Sequence, residues 1–237
     1  MQIKTKAIVI SSLKFQEKSL IVKCFTQTNG IKSYFVNNAF TGKNNKQKVA
    51  FFQPLMQLEI EATHKNKGTV ERFKEIKIAT TYQTISYNIY KTTIVLFLSE
   101  FLHHAIKEEE PNEPLFEYLE TALIWLDNHE EISDFHLILL IQVTKYLGFN
   151  PETPTSENNY FDLLEGIFNS TPSATCLNEE ETNLLKKLLL LKLDNNVNSF
   201  SSAQRHVLLK IIIEYYILNV EGFKKPKSLD VFKEVFS

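Results

Sequence analysis

Apolar and polar residues alternate with a period of two over much of the first 80 residues and recur at spacings of three and four beyond them. The first pattern is that of half-buried strands and the second that of amphipathic helices. Thr5 to Leu13, Ser19 to Thr26 and Ile31 to Val36 are rich in Ile, Val, Phe and Thr, and Asn29-Gly30 between the last two is a strong hairpin signal. Leu58 to Ala62 alternates strictly, and Thr69 to Thr80 follows the polar turn His64 to Gly68. Five short strands suit a small barrel, of which the OB-fold is the commonest nucleic-acid-binding example; an SH3-like barrel fits the pattern as well.

From residue 81 the period predicts helices. Ile85, Ile89, Thr93, Leu96 and Phe97 continue to Ile106 as one apolar stripe, stopped by Glu108 to Pro114. Leu115 to Leu126 and Phe135 to Leu147 follow, the latter ended by Gly148-Phe149-Asn150-Pro151. From about residue 148 to 178 the chain is rich in Pro, Thr, Ser and Asn, an irregular excursion with an apolar island at Tyr160 to Phe168. Glu179 to Leu193 and Phe200 to Leu218 predict two more helices. The expected class is α+β, with a five-stranded OB-fold barrel over residues 1–80 followed by a larger all-α helical domain over 81–237.

Charge sharpens this division. Residues 1–80 carry 14 basic against 5 acidic side chains, net +9, and the rest of the chain is net -11. A basic module concentrates a polyanion and gains from counterion release, although lysines also simply solvate small β domains. In an OB-fold the ligand crosses strands 2 and 3 between the loops joining strands 1–2 and 4–5. The first of those loops holds Lys14 and Lys18 around Phe15, and the second holds Lys65 and Lys67. Lys23 shares a strand face with Phe25, Lys32 shares one with Tyr34, and Lys43, Lys46 and Lys48 follow strand 3. Lysines beside aromatic rings are what sequence-tolerant binding of a single strand requires; Phe25 and Tyr34 fit the barrel core equally well.

Other chemistry is excluded or weak. Gly42-Lys43 is followed by Asn44 and preceded at five residues by Asn37, so no phosphate-binding loop is present. No G-x-S-x-G elbow occurs, and none of the six histidines pairs at the spacing of a zinc hydrolase. His103-His104 reads as a helix C-terminus, and Glu108 to Glu110 as a solvated run. The apolar run at Ile94 is broken by Glu100, the N-terminus lacks a signal-peptide core, and two cysteines make no disulfide framework. A cytoplasmic protein without catalytic residues, cofactor or membrane contact is expected.

A family resemblance follows from several short stretches. Thr5-x-Ala7-Ile8-Val9-Ile10, Lys14-Phe15-Gln16-Glu17-Lys18-Ser19-Leu20 and Phe25-Thr26-x-x-x-Gly30 resemble the opening of bacterial RecO proteins, and Gln53-Pro54-Leu55 resembles their turn before strand 4. Tyr146 to Pro151, Phe161-Asp162-Leu163-x-Glu165-Gly166-x-Phe168 and Ser228 to Phe236 continue the likeness in the family's order. The resemblance implies an N-terminal OB domain and a helical C-terminal domain. It further implies a mediator that binds single- and double-stranded DNA, anneals strands, and works with RecR to place RecA on DNA coated by the single-strand-binding protein SSB.

Two departures stand out. Many members hold zinc with four cysteines in the excursion, where this chain has only Cys176, so no metal is expected. The glycine-arginine-lysine stretch common after strand 3 in the family is Gly42-Lys43-Asn44 here, which keeps a phosphate contact through lysine but weakens the case for a bidentate arginine clamp. For the acidic, apolar-ended SSB tail the candidate seat is Arg205 with Lys186, Lys187, Lys192 and Lys210, where a planar fork suits a terminal carboxylate. An RNA-binding OB protein and a protein-only adaptor fit the residues too.

Overall fold

The computed structural model describes residues 1–40, 49–65, 70–107, 110–154, 158–193 and 198–236. The chain divides into two compact units, Met1–Asp127 and Asn128–Ser237.

The first unit is built on five antiparallel strands, β1 (Gln2–Phe15), β2 (Ser19–Thr26), β3 (Gly30–Val36), β4 (Gln57–Thr63) and β5 (Arg72–Ile78), in the order β3-β2-β1-β4-β5. The edges approach each other at one parallel bridge, Tyr34 to Glu71, where Phe35 N–H donates to the Glu71 carbonyl and Glu71 N–H to the Ser33 carbonyl, each at 2.8 Å. Inward positions Ala7, Val9, Leu20, Val22, Cys24, Tyr34, Leu58, Ile60 and Ala62 form one core with Phe52.

Among the described residues this unit also holds the helices α1 (Ile89–Ala105) and α2 (Glu113–Asn128). They explain why Ala7 to Ile10 is apolar without alternation, since Ile8, Ile10 and Phe25 on the outer face are buried too. The Phe25 ring lies 5.8 Å from that of Phe116 on α2. A bulge between Val9 and Ser11 leaves Ile10 out of step in the ladder, and its carbonyl accepts from Ser99 Oγ of α1 at 2.6 Å. The first helix starts later than the stripe from Ile85 implies. Asn88 caps it, accepting from Tyr90 and Lys91 N–H, while the N–H groups of Gln83, Thr84 and Ile85 converge on the buried Asp127 carboxylate at 2.7–2.9 Å.

The second unit holds α3 (Phe135–Leu147), a hairpin of β6 (Tyr160–Asp162) and β7 (Ile167–Asn169), and α4 (Glu179–Leu189), α5 (Ser202–Asn219) and α6 (Leu229–Val235). Gly148 at φ 87° ends α3, as glycine does at a helix C-terminus. The hairpin lies in the stretch expected to be irregular and is organised by one carboxylate. Asp162 Oδ1 accepts from Leu164 N–H at 2.9 Å and Glu165 N–H at 3.2 Å, and Oδ2 accepts from Ser173 Oγ and Thr175 Oγ1 at 2.8 Å each. Residues 175–177 return alongside, with Leu177 N–H donating to the Phe161 carbonyl at 2.9 Å. Gly166, at φ 71°, lets this turn sit against α5, because a Cβ there would fall 2.7 Å from Tyr215 Oη.

Candidate nucleic-acid interface

The turn joining β1 to β2 holds Gln16 at a positive φ of 55° and leaves Lys14 and Lys18 exposed on either side of it. Around it the sheet ends in apolar surface: Leu13 is 63%, Phe15 42% and Phe40 36% exposed. Register explains the grouping. Leu13 pairs with Ile21 and Ile21 with Phe35, a row across three strands, and the Phe15 ring meets that of Phe35 edge-on at 6.1 Å. The Lys14 ammonium lies 5.6 Å from the centre of the Phe40 ring. One end of the sheet thus joins cations to aromatic faces, with Glu17 the acidic residue of the turn.

At the other loop, Lys65 is exposed and its place is fixed from below. Its N–H donates to both carboxylate oxygens of buried Glu71 at 2.9 Å, and the preceding His64 exchanges backbone hydrogen bonds with Met1. Burial lowers the His64 pKa; Glu71 opposes this, and Lys32 and the chain's amino group add to it.

Several residues singled out from the sequence stand elsewhere. Tyr34 is 0% exposed: its ring stacks on Phe73 at 4.1 Å and its hydroxyl meets His64 Nε2 at 2.9 Å, so no base reaches its face. Tyr34 is therefore corrected from contact residue to core residue, and Phe25 also belongs to the buried set. Lys23 is half-buried and donates to the His103 carbonyl of α1 at 3.4 Å, with burial and then Lys107 lowering its pKa. Lys32 is half-buried on β3. Lys43, Lys46, Lys48 and Lys67 lie outside the described residues. Phe40 and Leu13 were not singled out. The signal for Phe40 is an aromatic within a polar turn, and for Leu13 it is the shared parity with Phe15 along β1.

In the second unit three of the five residues considered for a partner tail are engaged with their own chain. Arg205 Nη1 donates to the Phe200 carbonyl at 2.6 Å and lies 3.7 Å from Asp134 Oδ1, with its side chain 17% exposed. Lys187 donates to the Ser199 carbonyl at 2.7 Å and covers the Phe200 ring at 4.8 Å. Asp134 accepts from Ser199 N–H; burial raises its pKa against that bond and Arg205. These three residues clamp the segment entering α5, so Arg205 is corrected from carboxylate receptor to internal brace. Lys186 donates to the Asn158 carbonyl beside Phe168, while Lys192 and Lys210 are exposed. Among the described residues no group of three His, Cys, Asp or Glu side chains is placed to hold a metal ion, and no helix is long and apolar enough to cross a membrane.

These features define an α+β protein whose sheet end presents lysines beside aromatic rings. A family model described as Recombination protein O N terminal matches residues 1–82, and one described as Recombination protein O C terminal matches residues 86–230. DNA repair protein RecO of Flavobacterium johnsoniae is 62% identical over 237 residues, and that of Flavobacterium psychrophilum 61% over 238, each match covering all of both chains. The Bacteroides fragilis protein of the same name is 34% identical over 239 residues, covering 98% of each chain. The chain belongs to the RecO family of DNA repair proteins.

Proposed function

We propose that this protein is a non-catalytic recombination mediator that binds single-stranded DNA at the β1–β2 end of its sheet. The observation that carries the reading is the meeting of Lys14, Lys18, Phe15 and Phe40 at the exposed end of a sheet built from residues 1–80, a segment of net charge +9. Lysines neutralise phosphates and release counterions, and exposed rings offer bases a sequence-tolerant platform. The buried ionisable groups Asp127, Asp134 and Asp162 each serve a backbone segment, which leaves them little freedom for acid–base chemistry.

On this reading the family's work extends to the chain: binding of double-stranded DNA, annealing of complementary strands, and action with RecR and the SSB tail to place RecA on coated DNA, in the cytoplasm at the nucleoid. The test is fluorescence anisotropy with a labelled single strand across a salt series. Lys14→Ala/Lys18→Ala/Lys65→Ala is expected to weaken binding to all sequences and to flatten the salt slope by about 0.7 per lost contact. Phe15→Ala/Phe40→Ala is expected to cost about 1–3 kcal/mol per stacked base while leaving the slope unchanged. An unaltered slope in the lysine variant removes this surface from the interface, and a preference for RNA transfers the reading to an RNA-binding protein.

A further inference from the structure

A second cationic feature lies in the other unit, where it departs from its surroundings. Residues 128–237 carry 10 basic and 15 acidic side chains, yet between Glu221 and Asp230 the chain holds Lys224, Lys225 and Lys227 and no acid. The fold fixes how they are shown. After α5, Gly222 takes φ 61° and Phe223 N–H donates to the Val220 carbonyl at 3.0 Å. The Phe223 ring lies buried 5.4 Å from that of Tyr216. Pro226 is buried as well, and its carbonyl accepts from Leu229 N–H at the start of α6. With Phe223 and Pro226 anchored inward, Lys224, Lys225 and Lys227 are turned to solvent on a short arc.

We infer that this turn is a second DNA contact, one that takes the phosphodiester backbone, duplex included. Two physical points select that ligand. Charges beyond about 8 Å are screened at physiological salt, so a strand lying on the turn meets its three lysines and the flanking Glu221 and Asp230 more than the unit's net negative charge. The exposed apolar neighbours are aliphatic, Ile217 and Leu218 at the end of α5, which provide no stacking face. Lysines act as point charges on phosphate oxygens, and such contact is indifferent to sequence and strandedness. The inference rests on the reading that the chain handles DNA, and it gives that reading a separate place to hold a second strand or an adjoining duplex.

The test uses the full chain with a fluorescein-labelled duplex and a labelled thymidine oligonucleotide over a salt series. Lys224→Glu/Lys225→Glu/Lys227→Glu is expected to weaken duplex binding at least about tenfold and to flatten its salt slope by about 2–3, with an unchanged unfolding midpoint. Replacing the same three lysines with arginine is expected to retain binding, which a merely structural turn would not require. Wild-type duplex affinity in the glutamate variant overturns the inference and leaves the sheet-end reading intact. Loss of binding in that variant, together with wild-type behaviour when Lys14, Lys18 and Lys65 are changed to Ala, keeps the inference and overturns the sheet-end reading. A wild-type chain that binds neither probe overturns both.

Discussion

Replacing Asp162 separates a carboxylate that merely sits in a turn from one that holds the hairpin of the second unit together. Its two oxygens accept five hydrogen bonds, two from backbone N–H groups, two from hydroxyls and a weaker one from Cys176 Sγ at 3.8 Å. In Asp162→Asn the amide oxygen can keep the Leu164 and Glu165 N–H groups, and the amide nitrogen can donate to Ser173 and Thr175, whose hydroxyls rotate. What is lost is charge assistance, an expected cost of about 1–2 kcal/mol. Asp162→Ala removes both acceptor oxygens and leaves the part-buried Leu164 and Glu165 amides to find water, which raises the expected cost to about 2–3 kcal/mol. Burial opposes ionisation of Asp162, but the bonds from Ser173, Thr175, Glu165 and Leu164 prevail and hold its pKa below the usual value. Its contribution is therefore present above the unfolded pKa and lost as pH falls through the lower folded one. The assay is urea unfolding by far-UV circular dichroism with hydrogen exchange at the Leu164 and Glu165 amides, because the single tryptophan, Trp125, lies in the other unit. A chelator is expected to leave the wild-type transition unmoved. Equal costs for Asn and Ala, or an Ala cost below about 0.5 kcal/mol, a size ordinary for surface substitutions, would refute the reasoning.

Two further outcomes are expected. Arg205→Ala leaves the buried Asp134 carboxylate with only the more distant Lys187 for a cation and is expected to destabilise the second unit by about 3 kcal/mol, with Asp134→Ala in addition recovering part of the loss; a variant of wild-type stability that fails to bind an SSB-tail peptide would restore Arg205 as a receptor. His136 is buried, and burial, then Arg205 and His206, push its pKa down to about 3 from 6.5. The unfolded chain takes up this proton first, so stability is expected to fall by about 1.4 kcal/mol per unit as pH drops below about 6.5. Urea titrations of wild type and His136→Leu between those pH values check this, and equal slopes would exclude His136 as the source.

The elements most legible in the sequence are those whose length lets a period declare itself. The bounds expected for Ser19–Thr26 and Phe135–Leu147 are those observed, and Asn29-Gly30 marks a real hairpin. The short β6 and β7 have only three residues each, too few for alternation, and depend on Asp162 and a return segment of distant sequence. The seven residues of α6 were legible only as a family-like tail. For the interface, alternation groups Lys32 with Tyr34 but does not say which side of the sheet faces inward. Tyr34 faces the core, as the stack on Phe73 shows, and the exposed rings belong to Phe15 and Phe40. Arg205 misled because a lone arginine looks the same in sequence whether its partner is foreign or internal; only the fold brings Asp134 to it.

The helices laid against the outer face of the sheet give the chain two seams of different kinds. The family descriptions change hands between residues 82 and 86, whereas the compact units part at Asp127. Between those points lie α1 and most of α2, which shelter Ile8, Ile10 and Phe25 and bring Ser99 to the carbonyl of the Ile10 bulge. Uncovering those three side chains would forfeit about 6 kcal/mol of burial, comparable to the whole stability of a small domain. Heredity and mechanics therefore divide this molecule differently: a graft made at the family boundary carries the five strands without the wall they lean on, and one made after Asp127 moves them with it.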